Sequence, residues 1–479
     1  MQDAVAEFDS LLVPDKRLAD RVRNFVECAW RDPSASLPDM LQNAAQLEGG
    51  YRLLNNPRIA SQALHAPHRH RTAERAKQAQ CVVVVHDTTD VQTPYADPSD
   101  VGYLCTGRTG YRAHISLALS FEPNRPVRPL GVMSVQTDFQ TKPPQPRGTK
   151  KKPPKRQAMV HSKDKAYLRW QRGIQASAEA LEGCPSVVHV ADREADSYEL
   201  FHSVLQLGHD CVIRIRNDRR ARVDEDESLE DDWSLLSEIA SGMQGTFDCM
   251  VPLSKRGDKG IVARAKTHPP REARCARLQY SAVPIELRRP HNLPAALPQT
   301  LSLTLVRAWE PSPPEGEQPI EWLLLTTEVC ETPAETMRVV ELYRSRWTIE
   351  EFFKALKTGC SLEQRQLESR HALLNLLAMF LPIAVHLLWL RTCARDTPEA
   401  PATEVFTPLQ LTVLRHRSHR KMPKHPTVLQ AMWSLAGLGG HIANNGWPGW
   451  QVLGRAFVRF CDAVLVWQLA ARAAAAGEL

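Results

Sequence analysis

Residues 81–89 read CVVVVHDTT, an unbroken β-branched run that leads into His86, Asp87 and two threonines. A continuous apolar run of this length predicts a strand buried on both faces, at the centre of a covered sheet. Asp87 would lie at the carboxyl end of that strand, where the ligands of α/β sheets collect. The alternative is an aspartate that only starts a turn. The run therefore predicts a sheet-based fold with a carboxylate at one edge.

A second strand of the same kind is predicted at residues 187–191, which read VVHVA and are followed by Asp192. A helix is predicted before it, at residues 163–181. Further strands are predicted at residues 111–120, 127–139, 211–216 and 322–327. The order strand, strand, strand, helix, strand, helix, strand, helix is that of a ribonuclease H-like core, so the predicted class is α/β.

The third acid lies in residues 343–357, which read YRSRWTIEEFFKALK and predict one helix. Its polar members fall at steps of three or four residues and would share one face: Tyr343, Arg346, Glu350, Lys354 and Lys357. Trp347, Phe353 and Leu356 would lie on or near the buried side. A carboxylate among cations suits a site for a divalent metal and a phosphate backbone. An ordinary amphipathic helix with ion pairs would give the same spacing.

The remaining segments predict three domains. Residues 1–70 form a helical unit whose first helix carries Lys16, Arg17, Arg21 and Arg23, which suits a grip on DNA phosphates. Residues 71–369 form the catalytic domain, with a β-rich insertion at about 217–318 and an acidic loop at 224–232. Residues 370–479 form a helical carboxy-terminal domain. Basic loops at 141–156 and 415–421 are expected to be solvated. The first would reach phosphates if it lies beside a nuclease site, and contact with DNA is the alternative for the second.

Composition is that of a globular protein, with a net charge of +6 that is unevenly spread. Eleven cysteines without a Cys-x-x-Cys pair, and no secretory leader at the start, favour a reducing cytoplasm and free, mostly buried thiols. Residues 372–390 are apolar over the length of a membrane span, but Asn375, Pro382 and His386 favour a buried core helix.

Three acids that are distant in the chain suggest one chemistry. If the fold brings Asp87, Asp192 and Glu350 together, their mutual repulsion requires a divalent cation between them. Oxygen ligands suit Mg²⁺ or Mn²⁺ rather than zinc. Two such ions activate a water or a 3′-hydroxyl and stabilise the leaving oxygen in phosphoryl transfer.

The spacing Tyr343-x2-Arg346-x3-Glu350-x6-Lys357 resembles the Tyr-Arg-Glu-Lys signature of bacterial DDE transposases of the insertion-sequence-four group, to which the transposon-five transposase belongs. The resemblance extends to three other motifs, which lie at residues 86–89, 192–196 and 322–326. Residues 15–18 and 51–57 are similar to the amino-terminal DNA-binding module of the family. The resemblance covers about residues 8–390.

The resemblance implies a metal-binding catalytic triad of Asp87, Asp192 and Glu350 with two Mg²⁺ ions, for which Mn²⁺ substitutes. The residues that it implies as DNA contacts are Tyr343, Arg346, Lys354, Lys357, Arg214, Arg216, Trp322 and Trp347. Trp322 would stack on a flipped base, and Trp347 would help to form the pocket. Core packing is an open alternative for both tryptophans.

The resemblance also implies a function and partners. The chain would bind the inverted-repeat ends of a mobile element, cleave them, commonly through a hairpin, and join the 3′ ends to target DNA. A synaptic homodimer would form through helices at residues 373–390 and 448–475, in the bacterial cytoplasm at the nucleoid and without a membrane. The alternatives are a DDE-type nuclease that cuts but does not join, and a domesticated DNA-binding protein.

Overall fold

The computed structural model describes residues 5–41, 43–123, 125–143, 167–223, 233–253, 255, 257, 269–442 and 446–476. The acidic loop predicted at 224–232 lies outside the described residues, as does most of the basic loop predicted at 141–156. The same holds for residues 163–166, where the helix predicted at 163–181 would begin.

Helices dominate both ends of the chain, and strands fill much of the middle. The helices are α1 (Lys16–Arg31), α2 (Leu37–Leu41), α3 (Ala44–Leu54), α4 (Ser61–Ala76), α5 (Pro98–Val101), α6 (Tyr167–Ala180), α7 (Tyr198–Gln206), α8 (Leu236–Gly242), α9 (Pro333–Ser345), α10 (Trp347–Lys354), α11 (Arg370–Asp396), α12 (Pro408–Arg417), α13 (Val428–Leu438) and α14 (Trp450–Ala476). The strands are β1 (Cys81–Gln92), β2 (Gly110–Phe121), β3 (Arg128–Asp138), β4 (Val187–Ala191), β5 (Asp210–Arg214), β6 (Arg220–Val223), β7 (Ser234–Leu235), β8 (Phe247–Leu253), β9 (Arg274–Arg288), β10 (Thr300–Trp309) and β11 (Glu321–Thr326). The predicted mixed α/β class with helical ends is confirmed.

The chain divides into two compact units. The first consists of Met1–Lys152, Glu179–Pro185 and Trp347–Leu479, and the second of Pro153–Ala178 and Ser186–Arg346. Of the three predicted acids, Asp87 and Glu350 belong to the first unit and Asp192 to the second.

Strands β1, β2 and β3 form an antiparallel meander in the first unit, as predicted for residues 111–139. Strand β1 is longer than expected and continues to Gln92, so the prediction that Asp87 ends the strand is wrong. Asp87 pairs with Ile115 within the ladder, at the point where β1 changes from fully buried to half-buried residues. The polar residues after the apolar run continue the strand because β2 offers them backbone partners as far as Gly110.

The second unit contains a mixed sheet in the order β4-β5-β11-β10-β9-β6-β7, with β8 also paired to β9. In the described part of this unit, β4 and β5 pair in parallel, and β11, β10 and β9 follow as an antiparallel series. The segments predicted as a β-rich insertion therefore continue the sheet of the β4–β5 pair. Helix α7 packs against β5, and its buried face includes Leu200, Phe201 and Val204.

The prediction of one uninterrupted helix over residues 343–357 is wrong. Helix α9 ends at Ser345, α10 begins at Trp347, and residues 355–359 form a π-helical turn. The amide of Arg346 bonds to the carbonyl of Tyr343, a three-residue step that tightens the chain between the two helices. Trp347 is exposed over 58% of its surface rather than packed on a buried side, whereas Leu356 is buried as expected.

Helix α11 is long and apolar enough to cross a membrane, but 89% of its most apolar window is buried within the protein. The polar residue Asn375 is accommodated in this buried helix because its side-chain amide donates to the carbonyl of Leu54 at 3.0 Å. This hydrogen bond joins α11 to the end of α3. The expectation of a core helix fits this burial. The dimer contact predicted at residues 373–390 stays a prediction.

The cysteines are free, as predicted, but fewer are buried than expected. Cys81, Cys211, Cys360 and Cys393 are buried, whereas Cys105 in the first unit and Cys275 in the second are exposed. Burial raises the pKa of the Cys211 and Cys360 thiols to about 12, which keeps them protonated.

A buried ionic cluster joins the start of the chain to helix α4 and the sheet of the first unit. Glu7 accepts hydrogen bonds from Nδ1 of His68 and from Nη1 of Arg75, the latter at 2.8 Å. Nε2 of His68 accepts from the amide of Val132 at 2.9 Å, so the ring proton lies on Nδ1. Burial alone would raise the pKa of Glu7, but His68 and Arg75 outweigh it and lower the pKa to about 2.

Replacement of Glu7 by Gln is expected to lower the free energy of unfolding by about 3 kcal/mol at pH 7. A carboxyl with a lowered pKa stabilises the fold above its unfolded pKa near 4.5, and this contribution is lost as the pH falls through about 2. The deficit of the variant should therefore be constant from pH 7 to 5 and less than half as large at pH 3. Urea unfolding at each pH measures it.

The matched control is Glu48→Gln, because Glu48 also pairs with an arginine, Arg52, but at an exposed position. It is expected to cost less than about 1 kcal/mol at every pH. An equal loss in both variants, or a Glu7→Gln deficit that does not shrink in acid, would contradict the assignment.

Candidate active site

Two of the predicted acids lie on packed elements of the first unit. Helix α10, which carries Glu350, packs against strand β1, which carries Asp87. Both side chains are half-buried. An oxygen of Asp87 accepts from the amide of Thr88 at 2.7 Å, and Ile349 and Phe352 bury the opposite side of α10. The sequence thus places two carboxylates on a rigid strand and a packed helix, at partly accessible positions.

The strand face opposite Asp87 is fixed by a buried polar cluster. Nδ1 of His86 lies 2.9 Å from the hydroxyl of Ser116, and the hydroxyl of Thr88 lies 3.0 Å from Nδ1 of His114. The two imidazole rings are nearly parallel, with centroids 6.0 Å apart. Burial, followed by the neighbouring His114, holds the pKa of His86 well below its usual value, so the ring is neutral. These cross-strand contacts fix the register of β1 and β2 at Asp87.

Glu351, the residue after Glu350, connects two helices. Its carboxylate pairs with Arg391 at 2.9 Å and with Lys354 at 2.6 Å. Burial alone would raise the pKa of Glu351, but Lys354 and Arg391 outweigh it and lower the pKa. Glu351 therefore joins α10 to α11, and one of the two consecutive carboxylates serves the packing of the helix.

The two predicted DNA-binding lysines of this unit also contact protein. Lys354 is exposed and bonds to Glu351, as described above. Lys357 bonds to the carbonyl of Asp90 near the end of β1 and lies 3.5 Å from Glu363. Glu363 in turn accepts from the amide of Gln92 at 2.9 Å. Lys357 thus holds the π-helical turn against β1, and its role toward DNA stays a prediction.

In the second unit, the motif of residues 192–196 contains two aspartates whose environments differ. Asp192 is half-buried and caps a short 3-10 helix, accepting from the amide of Glu194 at 2.9 Å. Asp196 is buried and pairs with Arg219 at 2.6 Å, and it accepts from the amides of Arg216 and Asn217, both at 2.7 Å. Asp196 is therefore a structural acid, and Asp192 is the one that stays accessible at the carboxyl end of β4.

Cations and aromatic rings gather near Asp192 within the same unit. The pKa of Arg193 is lowered by desolvation and by Arg214, and it is partly restored by Tyr343 and Asp192, which places these four groups close together. Nη2 of Arg214 donates to the carbonyl of Glu321 at 3.0 Å. Arg193 was absent from the predicted contacts, although its position directly after Asp192 was a usable signal. Arg346 is also in this unit and only 9% exposed.

The predicted tryptophans differ in their environment. Trp322 is half-buried at the start of β11, and its ring lies 5.9 Å from that of Tyr343. Trp347 belongs to the first unit and is exposed, so the alternative of core packing is wrong for it. Strand β5 ends at Arg214, so Arg216 lies beyond the strand and is exposed, rather than sharing a strand face with Arg214.

The donor set of the three predicted acids fits a hard divalent cation. All three carboxylates are half-buried, and carboxylate oxygens are the ligands that suit Mg²⁺ or Mn²⁺. Among the residues that the structure describes, no three His, Cys, Asp or Glu side chains form a cluster that could hold a metal. Because the predicted triad takes its members from both units, its convergence stays a prediction.

Two segments of the chain match known protein families. Residues 164–383 match the family model described as Transposase DDE domain, and residues 2–59 match the one described as Transposase DNA-binding. The chain carries a transposase DDE domain. It is thus an enzyme of DNA cleavage and strand transfer with an amino-terminal DNA-binding domain.

The matched ranges correspond to the features described above. The DDE match includes Asp192 and Glu350 with the cationic and aromatic residues around Asp192, and it begins after Asp87. The DNA-binding match covers helices α1 to α3. Asp15 begins α1 by accepting from the amide of Arg17 at 2.9 Å, and Lys16, Arg17 and Arg21 lie on its exposed side. The basic helix predicted from the sequence is therefore in the DNA-binding domain.

The two aspartates of residues 192–196 are expected to respond oppositely to replacement by Asn. Asp196→Asn leaves Arg219 buried without its charge partner and should lower the free energy of unfolding by about 3–5 kcal/mol. Asp192→Asn should change it by less than about 1 kcal/mol, because Asn is an equally good cap, yet it should abolish nicking of end DNA.

Urea unfolding and a nicking assay on the same preparations separate these effects. A stable Asp196→Asn protein, or an Asp192→Asn protein that nicks at the normal rate, would reverse the assignment of the two acids.

Proposed function

We propose that the chain is a metal-dependent transposase of the insertion-sequence-four group, related to the transposon-five transposase, with a ribonuclease H-like core. The observation that carries the proposal is the half-buried Asp192, which follows strand β4 and caps a 3-10 helix, within the range that matches a transposase DDE domain. A carboxylate at the end of a sheet strand, flanked by cations and an aromatic ring, suits a phosphodiester held for cleavage.

The proposed metal ligands are Asp87, Asp192 and Glu350. Two Mg²⁺ ions, or Mn²⁺ in their place, would supply activation of the attacking oxygen and stabilisation of the leaving oxygen. The chain's own part is to hold three carboxylates at fixed positions. Strand β1 fixes Asp87 through its ladder, the cap geometry fixes Asp192, and helix α10 fixes Glu350 through its buried side. Glu351 and Asp196 each pair with an arginine, so these two acids do not compete for the ions.

The proposed DNA contacts are the residues of the Tyr-Arg-Glu-Lys signature and the basic and aromatic residues of each unit. They are Tyr343, Arg346, Lys354, Lys357, Arg214, Arg216, Trp322 and Trp347, to which we add Arg193. The half-buried ring of Trp322, in contact with Tyr343, offers a face for a flipped base. The exposed ring of Trp347 offers a second.

The proposed reaction begins when the domain at residues 1–70 binds the inverted repeat at one end of the element. The catalytic domain at 71–369 cleaves that DNA, through a hairpin, and joins the 3′ end to target DNA. The carboxy-terminal helices at 370–479 would form the synaptic homodimer through α14, whose last turns expose Val466, Trp467 and Leu469. The reaction would occur in the bacterial cytoplasm, at the nucleoid and away from membranes.

Replacement of Glu350 by Gln tests the chemistry. The variant should bind end DNA with unchanged affinity, because the side chain keeps its size. Its nicking rate should fall by about 100-fold or more, since several kcal/mol of charge stabilisation are lost. Single-turnover nicking in Mg²⁺ and gel-shift binding measure the two properties. The matched control is Glu368→Gln, the same exchange at an exposed acid of the same unit, which should nick normally.

Strand transfer with pre-cut ends separates the proposal from its alternatives. Joined product supports a transposase, cleavage without joining supports a nuclease, and binding without either reaction supports a domesticated DNA-binding protein. Rapid Mg²⁺-dependent nicking by Glu350→Gln would remove Glu350 from the centre.

Replacement of Trp347 by Ala tests the aromatic contact. Loss of one base stack costs about 1–3 kcal/mol, so the variant should bind cleaved end DNA about 5- to 150-fold more weakly, while its melting temperature is preserved because the ring is exposed. The control is Tyr95→Ala, at another exposed aromatic residue of the same unit. Equal affinity of Trp347→Ala and the native protein, measured by fluorescence anisotropy, would assign the ring no contact with DNA.

A further inference from the structure

The segment between Glu404 and Asp462, called the basic segment below, has an unusual charge pattern. It contains no Asp or Glu, whereas it contains seven Lys or Arg and four His residues. With His neutral, the seven Lys and Arg residues give the segment a charge of +7, which exceeds the net charge of +6 of the whole chain. It lies beyond residue 383, where the DDE match ends, so neither matched domain includes it.

The charges are concentrated where helix α12 ends and the following loop leads to α13. Arg417, Lys421 and Lys424 are exposed there. The loop is anchored between them, because Met422 and Pro426 are buried. The three exposed cations therefore lie on a short stretch of chain that Met422 and Pro426 anchor to the protein.

Hydrogen bonds hold the loop in one conformation. The amide of Arg420 donates to the hydroxyl of Ser418 at 3.1 Å, and Nη2 of Arg415 donates across the loop to the carbonyl of Lys424 at 3.2 Å. A loop that is already ordered loses less conformational entropy when it binds a ligand than a flexible one does. Such ordering distinguishes the loop from the solvated basic run that the sequence suggested.

An aromatic cluster supports the same surface. The guanidinium of Arg420 lies over the ring of Trp433 at 5.4 Å, and Trp433 contacts His441 at 4.9 Å and Trp447 at 6.0 Å between ring centroids. Stacking on Trp433 fixes the plane of the Arg420 guanidinium, and Trp447 presents an exposed ring beside it.

We propose that Arg417, Arg420, Lys421 and Lys424 form a second DNA-binding surface, which holds the backbone of duplex DNA without regard to sequence. Such a surface fits DNA because dense positive charge releases the counterions of the phosphate backbone, whereas contacts to phosphates carry no sequence information. DNA is already the partner of the amino-terminal domain in the same unit. This second surface adds affinity for DNA beyond the ends that the amino-terminal domain binds.

The test is the salt dependence of binding to a random-sequence duplex of about 30 base pairs, measured by fluorescence anisotropy on the full chain. In the triple variant Arg417→Gln, Lys421→Gln and Lys424→Gln, the slope of log Kobs against log[KCl] should become less negative by about 2.7, since each lost phosphate contact removes about 0.9. Binding at 100 mM KCl should weaken by about tenfold or more.

Two controls have matched charges. Arg71→Gln, Lys77→Gln and Arg125→Gln remove the same charge from exposed positions elsewhere in the first unit and should leave the slope unchanged. Arg417→Lys, Lys421→Arg and Lys424→Arg keep the charge of the surface and should bind as the native protein does. An unchanged slope in the first triple variant, or an equal change in the Arg71 triple variant, would overturn the proposal.

Two further outcomes decide the partner. If the first triple variant loses binding to vesicles of phosphatidylcholine and phosphatidylserine but binds the duplex normally, the surface belongs to an anionic membrane and the proposal fails. Binding to random duplex requires neither end recognition nor cleavage. The proposal therefore stands or falls separately from the proposed transposition reaction.

Discussion

The assignment of acids in this chain depends on arginines. A carboxylate that pairs with a guanidinium inside the protein is balanced by that charge and contributes to folding. Arg219 takes Asp196 and Arg391 takes Glu351, and in each case a second acid lies within four residues. The two arginines thus assign Asp196 and Glu351 to the packing of the fold.

Much of the fold was predictable from local patterns. The apolar runs before Asp87 and Asp192 form strands, the meander after β1 is present, and Asp15 begins the basic helix of the DNA-binding domain. These features follow from periodicity and capping, which act over a few residues. The length of β1 beyond Asp87 was not predictable, because it depends on the partner strand β2 rather than on the residues of β1 alone.

The site was predictable in its residue types but not in their environments. Periodicity placed Trp347 on a buried side, but the helix is interrupted at Arg346 and Trp347 is exposed. Sequence spacing also treats Glu350 and Glu351 alike, since the partner Arg391 is distant in the chain. The ordering of the loop after α12 is a third example, because Arg415 and Lys424 bond across it only in the folded chain. Each of these depends on tertiary contacts that no local pattern contains.

The distribution of the thiols has a practical consequence. Cys105 and Cys275 are the exposed cysteines, and each compact unit contains one of them. Maleimide fluorophores should couple first at these two positions, since a buried protonated thiol reacts slowly. Donor and acceptor dyes introduced in this way would report by energy transfer on the separation of the units during catalysis, without any engineered attachment point.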